Sequence, residues 1–219
     1  MKKSLKTLLA VSALATCGAL TSCAPKAQTF KFEAEQALLE DAEDQTANNI
    51  KVEASGEAAS NGYSVGYFTT TGQKITWTVT SDFEAKDCEL VLCLAPAAMT
   101  YKLEEGADPT DYSKYKMALA DTDLSEQYKL TNNDKEISLG DTVVSPDNPY
   151  AEEGAWMPNF YQFKEYKFKV DLVKGENKIV FEKADGQNGV NVDYLSINAA
   201  ANLKFTAVEN ELPTVEQAE

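Results

Sequence analysis

Two polar side chains, Asn191 and Asp193, stand at the start of a largely apolar stretch, 190–197, directly after the polar loop Asp185-Gly186-Gln187-Asn188-Gly189. A polar group at the mouth of an apolar strand is costly when buried without a partner, so both need something to bind. Near the other end, Phe30-Lys31-Phe32-Glu33-Ala34-Glu35 alternates, which puts the two Phe rings on one face and Lys31, Glu33 and Glu35 on the other. Carboxylates two residues apart on one strand face converge on a common point, an arrangement suited to a hard cation. Two rings complete the chemically interesting set. Tyr67 lies in Gly62-Tyr63-Ser64-Val65-Gly66-Tyr67-Phe68, where a core position and a surface position are equally compatible with the pattern. Trp156 lies in a polar, Pro-containing segment, 145–158, which reads as an exposed loop.

Composition removes whole classes of chemistry. The chain of 219 residues carries 20 basic and 35 acidic residues, and every basic residue is a Lys. With no His, the commonest general base and zinc ligand is absent. With no Arg, bidentate recognition of phosphate or of uronate carboxylates is not expected. A formal charge of −15 repels nucleic acid and anionic lipid headgroups and attracts divalent cations.

The elements that must position these residues begin after an N-terminal export pattern. Lys2, Lys3 and Lys6 precede an apolar run, 8–20, too short to span a bilayer. It ends in Leu20-Thr21-Ser22-Cys23, which resembles the lipobox of bacterial lipoproteins, so Cys23 is expected to be acylated and to become the first mature residue. Ala24 follows it, so the Asp that signals inner-membrane retention in that family is absent. The expected organisation is therefore a lipoprotein signal over 1–22, a tether over 23–29, one domain over 30–198 and a flexible tail over 199–219. Of the four cysteines, Cys17 leaves with the signal and Cys23 takes lipid. Cys88 and Cys93 lie on one expected strand, about 17 Å apart at ~3.3 Å per residue, too far for a disulfide, and are read as core thiols.

Within the domain the pattern is that of short strands. Segments 30–35, 50–54, 62–68, 74–80, 87–95, 127–130, 136–139, 166–172, 178–182 and 190–197 alternate or run apolar between turn residues, and no long helix is indicated. Residues 87–95, nearly all apolar, are expected at the centre of a sheet, and Trp77 in its core. From 96 to 122 no period persists, so 99–123 reads as an inserted loop. The tally predicts an all-β β-sandwich.

Several short motifs occur in a telling order: Phe32-Glu33-Ala34-Glu35, then Val65-Gly66-Tyr67-Phe68 with Gly72 and Ile75-Thr76-Trp77-Thr78-Val79, then Lys174-Gly175-Glu176-Asn177-Lys178-Ile179, then Asn191-Val192-Asp193-Tyr194-Leu195. Over roughly 30–98 and 124–198 the chain resembles carbohydrate-binding modules of families 6 and 35, which are galactose-binding-like β-sandwich jelly rolls. The resemblance implies a structural calcium held by Glu33, Glu35 and Asp193. It also implies a sugar site in loops at one end of the sandwich, built from Tyr67, Trp156 and Asn191. Trp156-Met157-Pro158-Asn159-Phe160 is longer than the usual spacing, which leaves Phe160 as an alternative to Trp156 for the stacking position. Aromatic rings stack on the apolar C–H faces of sugars, while an amide both donates to and accepts from hydroxyls.

The function expected from these readings is non-catalytic. A lipid-anchored protein of the bacterial cell envelope, at the outer membrane or cell surface, would hold poly- or oligosaccharide, and its contact with membrane would be through the anchor alone. A scaffold lipoprotein that meets a protein partner through the 99–123 insertion is the second reading. A two-carboxylate glycosidase is the third, although no acidic pair is singled out by spacing.

Overall fold

A computed structural model describes residues 26–43, 49–186 and 188–213. The expected signal, the expected acylation site Cys23, the next two residues of the tether and the last residues of the tail lie outside these. No helix among the described residues is long and apolar enough to cross a membrane.

The strands, in chain order, are β1 (Gln28–Glu33), β2 (Leu38–Glu40), β3 (Lys51–Ala54), β4 (Tyr63–Phe68), β5 (Lys74–Ser81), β6 (Ala85–Pro96), β7 (Met99–Leu103) and β8 (Tyr115–Leu119). They continue as β9 (Thr122–Asp123), β10 (Tyr128–Asn132), β11 (Lys135–Ile137), β12 (Val143–Val144), β13 (Lys164–Leu172), β14 (Gly175–Lys183), β15 (Val190–Ala199) and β16 (Leu203–Phe205). One six-stranded sheet runs β13-β6-β15-β4-β3, with β1 also paired to β15. The other runs β11-β10-β14-β5-β16, with β2 also paired to β5. The two inner faces close on a single core that includes Trp77, Ile75, Leu90, Leu92 and Phe181, all fully buried. The chain is an all-β β-sandwich.

β6 lies between β13 and β15 and is buried on both faces along its second half, which is why its sequence runs apolar without alternating. Cys88 and Cys93 on this strand are free and buried. Burial pushes the Cys93 thiol up to about 12, so it packs as an inert side chain.

Two sequence expectations need correction. Residues 99–123 are not an unstructured loop. The segment contains the two-stranded ribbon β7–β8, in which Tyr101 faces Met117. Much of the ribbon's surface is open to solvent and mixed with charges, so apolar and polar positions do not separate by face. The chain beyond 199 also does not fray at once. β16 pairs with β5, Phe205 packs on Phe32 with ring centroids 5.3 Å apart, and the Val208 amide donates to the Gln36 carbonyl at 2.8 Å. Three residues with a Lys in the middle are too few to register as an alternating pattern.

Lys183, fully buried at the end of β14, secures the polar loop that precedes β15. Its ammonium donates to Gln127 Oε1 at 2.9 Å and to the Asn188 carbonyl at 2.6 Å, and lies 4.4 Å from the centroid of the Tyr128 ring. Burial lowers its pKa to about 8. Between that value and the ordinary lysine pKa the unfolded chain holds a proton that the folded one has released, so stability must rise with pH there. The stability of the wild type relative to Lys183→Met is therefore expected to rise by about 2 kcal/mol from pH 8 to pH 10 in urea unfolding. A flat difference would refute the assignment.

Candidate functional site

The site residues are placed by two departures from regular strand geometry. Along β15 the pairing with β6 slips between Val192 and Tyr194, so that Asp193 is the extra residue of a bulge. Along β4 the pairing with β15 slips as well: Val190 faces Phe68 while Val192 faces Val65. Tyr67 lies in that slip, in left-handed backbone with φ +57°. A non-glycine residue there costs about 1–2 kcal/mol. The bulge turns the Tyr67 ring outward, 40 % exposed, while Val65 and Phe68 on either side stay in the core. Tyr67 is thus a surface ring.

A cleft of about 300 Å³ opens at this point. Tyr67, Phe160, Tyr161, Met99 and Met157 supply its apolar lining, and Glu53, Thr69 and Asn191 its polar groups. Asn191 is 3 % exposed, at the base, with its amide nitrogen donating to the Phe160 carbonyl at 3.3 Å. The structure therefore brings together Tyr67, Phe160 and Asn191. Trp156 is not part of this cleft. It lines a separate one and is 82 % exposed.

Glu53 reaches the cleft because its neighbour has no side chain. β3 pairs with β4, and a Cβ added at Gly66 would come within 1.9 Å of Glu53 Oε2. Burial raises the Glu53 pKa, and Lys51 partly offsets this. The Lys51 ammonium lies 4.2 Å from the centroid of the Tyr67 ring and so covers part of one face. Tyr161 is likewise raised, first by burial and then by the nearby Glu53 carboxylate.

The three acids named from sequence lie at the meeting of β1 and β15, where Glu33 pairs with Tyr194. The expected strand face shared by Glu33 and Glu35 is not observed. The chain leaves strand geometry after Glu33 for a 3₁₀ turn, Ala34–Gln36, and Glu35 is buried within it. All three acids nevertheless meet the segment Ser60-Asn61. The Ser60 hydroxyl lies 2.7 Å from Glu33 Oε2 and 2.9 Å from Asp193 Oδ1, with one proton to give to either, and the Ser60 amide donates to both Asp193 oxygens at 3.1 Å. The Asn61 amide nitrogen donates to Glu35 Oε1, while Glu35 Oε2 is buried without a partner. Desolvation raises the pKa of Glu35 and of Asp193. Among the described residues no three acidic, Cys or His side chains stand in metal-holding geometry. The donor set is nonetheless all oxygen, and the orphaned Glu35 oxygen is the kind of group a hard cation satisfies.

No protein-family profile matches the chain, and no curated protein sequence does. Solved structures do show likenesses. A family 35 carbohydrate-binding module from Clostridium thermocellum is 18 % identical with a TM-score of 0.45, covering 78 % of this chain and 97 % of that one. A CBM35 from Paenibacillus barcinonensis is 15 % identical with a TM-score of 0.47, covering 77 % and 97 %. The C-terminal CBM6 of a marine laminarinase from Zobellia galactanivorans is 14 % identical with a TM-score of 0.44, covering 78 % and 99 %. At these identities and scores the likenesses decide nothing about ligands, which only the cleft itself can address.

Sequence reasoning missed Glu53, Tyr161, Met99 and Met157 as lining residues. For Glu53 the one available signal is the glycine of Val65-Gly66-Tyr67, since a glycine within a strand often marks close approach by another group. The other three come from segments with no period to read.

Proposed function

We propose that this protein is a non-catalytic glycan-binding protein whose ligand, a neutral sugar unit, enters the cleft of Tyr67, Phe160, Asn191 and Glu53. The observation that carries this reading is Tyr67: a ring held outward by strained backbone, beside a second ring and above a buried amide. Strain of this kind persists where surrounding structure enforces it, and it clusters at ligand sites. The sugar would lie with its C–H face on the rings, with Asn191 and Glu53 taking hydroxyl hydrogen bonds from below. A carboxylate at the base also disfavours anionic sugars. Among the described residues Glu53 is the one carboxylate lining the cleft, whereas two-carboxylate glycoside hydrolysis needs a pair.

Two further features complete the proposal. Glu33, Glu35 and Asp193 would hold a structural calcium, which would supply charge neutralisation where the first and last strands of one sheet meet; Ser60 and Asn61 would have to shift their hydrogen bonds toward it. Acylation at Cys23 would tether the domain to the bacterial cell envelope.

Calorimetric titration with a panel of neutral oligosaccharides tests the reading: one saturable ligand is expected, and no binding across the panel would refute it. Gly66→Ala gives a second handle. Its Cβ displaces the Glu53 carboxylate, so affinity is expected to fall about tenfold, the value of one charged hydrogen bond. Unchanged affinity would remove Glu53 from the site.

A further inference from the structure

The second cleft, about 720 Å³, is formed where the outer end of the β7–β8 ribbon faces the loop that carries Trp156. That loop is fixed to the ribbon: the Leu119 amide donates to the Pro149 carbonyl at 2.7 Å, and Tyr150 bridges to Ala118. A turn closed by the Ala155 amide on the Glu152 carbonyl at 3.0 Å, with Gly154 at φ +89°, then presents Trp156. The indole is 82 % exposed, and its ring faces a cleft rather than a flat surface. Tyr150 and Met117 extend its apolar wall.

The rim is acidic. Glu104 is neutralised by Lys116 at 2.9 Å and Lys114 at 3.9 Å. Glu105, Glu152 and Glu153 also line the cleft, and no ion pair among the described residues involves them. A planar apolar wall edged by unpaired carboxylates complements a ligand with a flat apolar face and ammonium groups at its edge. A lysine side chain is a thin flexible stem that calls for a narrow aromatic cage, and this cleft is broad and open. A pyranose bearing an amine has the matching shape and charge.

We infer that the Trp156 cleft is a second binding site, independent of the Tyr67 cleft, for cationic amino-sugar units, with the ring stacked on Trp156 and its ammonium among Glu105, Glu152 and Glu153. This goes beyond the neutral-sugar reading of the first cleft and does not depend on it.

Fluorescence isolates the site, because Trp77 is fully buried and Trp156 is the only other tryptophan. A glucosamine tetrasaccharide with its amines protonated is expected to change the emission saturably. The fully N-acetylated tetrasaccharide is expected to bind at least about tenfold more weakly, since the charge contribution is lost. Binding should weaken with added salt, fall about tenfold in the Glu152→Gln, Glu153→Gln double variant, and vanish by calorimetry in Trp156→Ala. Trp156→Ala should retain its circular dichroism and its neutral-sugar binding at Tyr67, so failure of one site is distinguishable from failure of the other. Equal binding of the acetylated oligomer, equal binding of tetralysine, or no response to the glucosamine tetrasaccharide would each overturn the inference.

Discussion

Tyr67→Ala is expected to weaken binding of the neutral oligosaccharide by about a hundredfold while leaving the protein folded. The ring is 40 % exposed at the cleft, and losing about 2–3 kcal/mol of stacking and burial corresponds to that factor. The backbone permits a sharper test than loss of affinity alone. Tyr67 has φ +57°, a conformation that glycine adopts freely and alanine does not. Tyr67→Gly should therefore be more stable than Tyr67→Ala by about 1 kcal/mol in urea unfolding, while neither variant binds. This pair separates the two roles of the position: the strain belongs to the backbone and the affinity to the ring. If Tyr67→Ala bound as tightly as the wild type, the ring would not be a ligand contact.

The second large effect concerns calcium. With calcium at about a hundredfold over its Kd, the expected stabilisation is about 2.7 kcal/mol, which raises Tm by roughly 5–10 °C for a domain of this size. The reason is electrostatic. Glu35 and Asp193 are held above their ordinary pKa by burial, and each is raised further by Glu33. A carboxyl with a raised pKa favours the fold only while protonated, and that contribution is lost as pH rises through its folded pKa. Ionisation of these groups therefore opposes folding, and a bound cation would offset that cost. In chelator, Glu35→Gln should raise Tm at pH 7, and it should reduce the response to calcium. Asp193→Ala should abolish that response. A wild-type melt unmoved by millimolar calcium would count against the ion.

How much of this was legible in the sequence depended on whether a residue's neighbours were local. β5, β13 and β14 show plain alternation, because one face of each packs on the core and the other on solvent or a second layer. Asn133 and Asp134, both with positive φ, close the tight β10–β11 hairpin, and both are residue types that tolerate that backbone. The ribbon β7–β8 and strand β16 were not legible, since the first has no buried face along most of its length and the second is three residues long.

The cleft was legible only in part. Tyr67 and Asn191 could be named from their motifs, but which way Tyr67 faces is decided by a register slip against β15 that the pattern of β4 leaves open. Trp156 and Phe160 lie four residues apart in a loop without period, and the structure sends them to different clefts. Glu53 owes its place to an absent side chain on the neighbouring strand, a tertiary fact that no reading of β3 alone reveals.

The claim at the centre of this account is that a neutral sugar binds between Tyr67, Phe160 and Asn191. Amide and side-chain chemical shifts, followed by NMR as a bound oligosaccharide is titrated in, test it most directly. The largest changes are expected on Tyr67, Phe160, Tyr161 and the Asn191 side-chain amide, with saturation at a single ratio of ligand to protein. Changes confined to the sheet faces or to the β7–β8 ribbon, with those four silent, would contradict it.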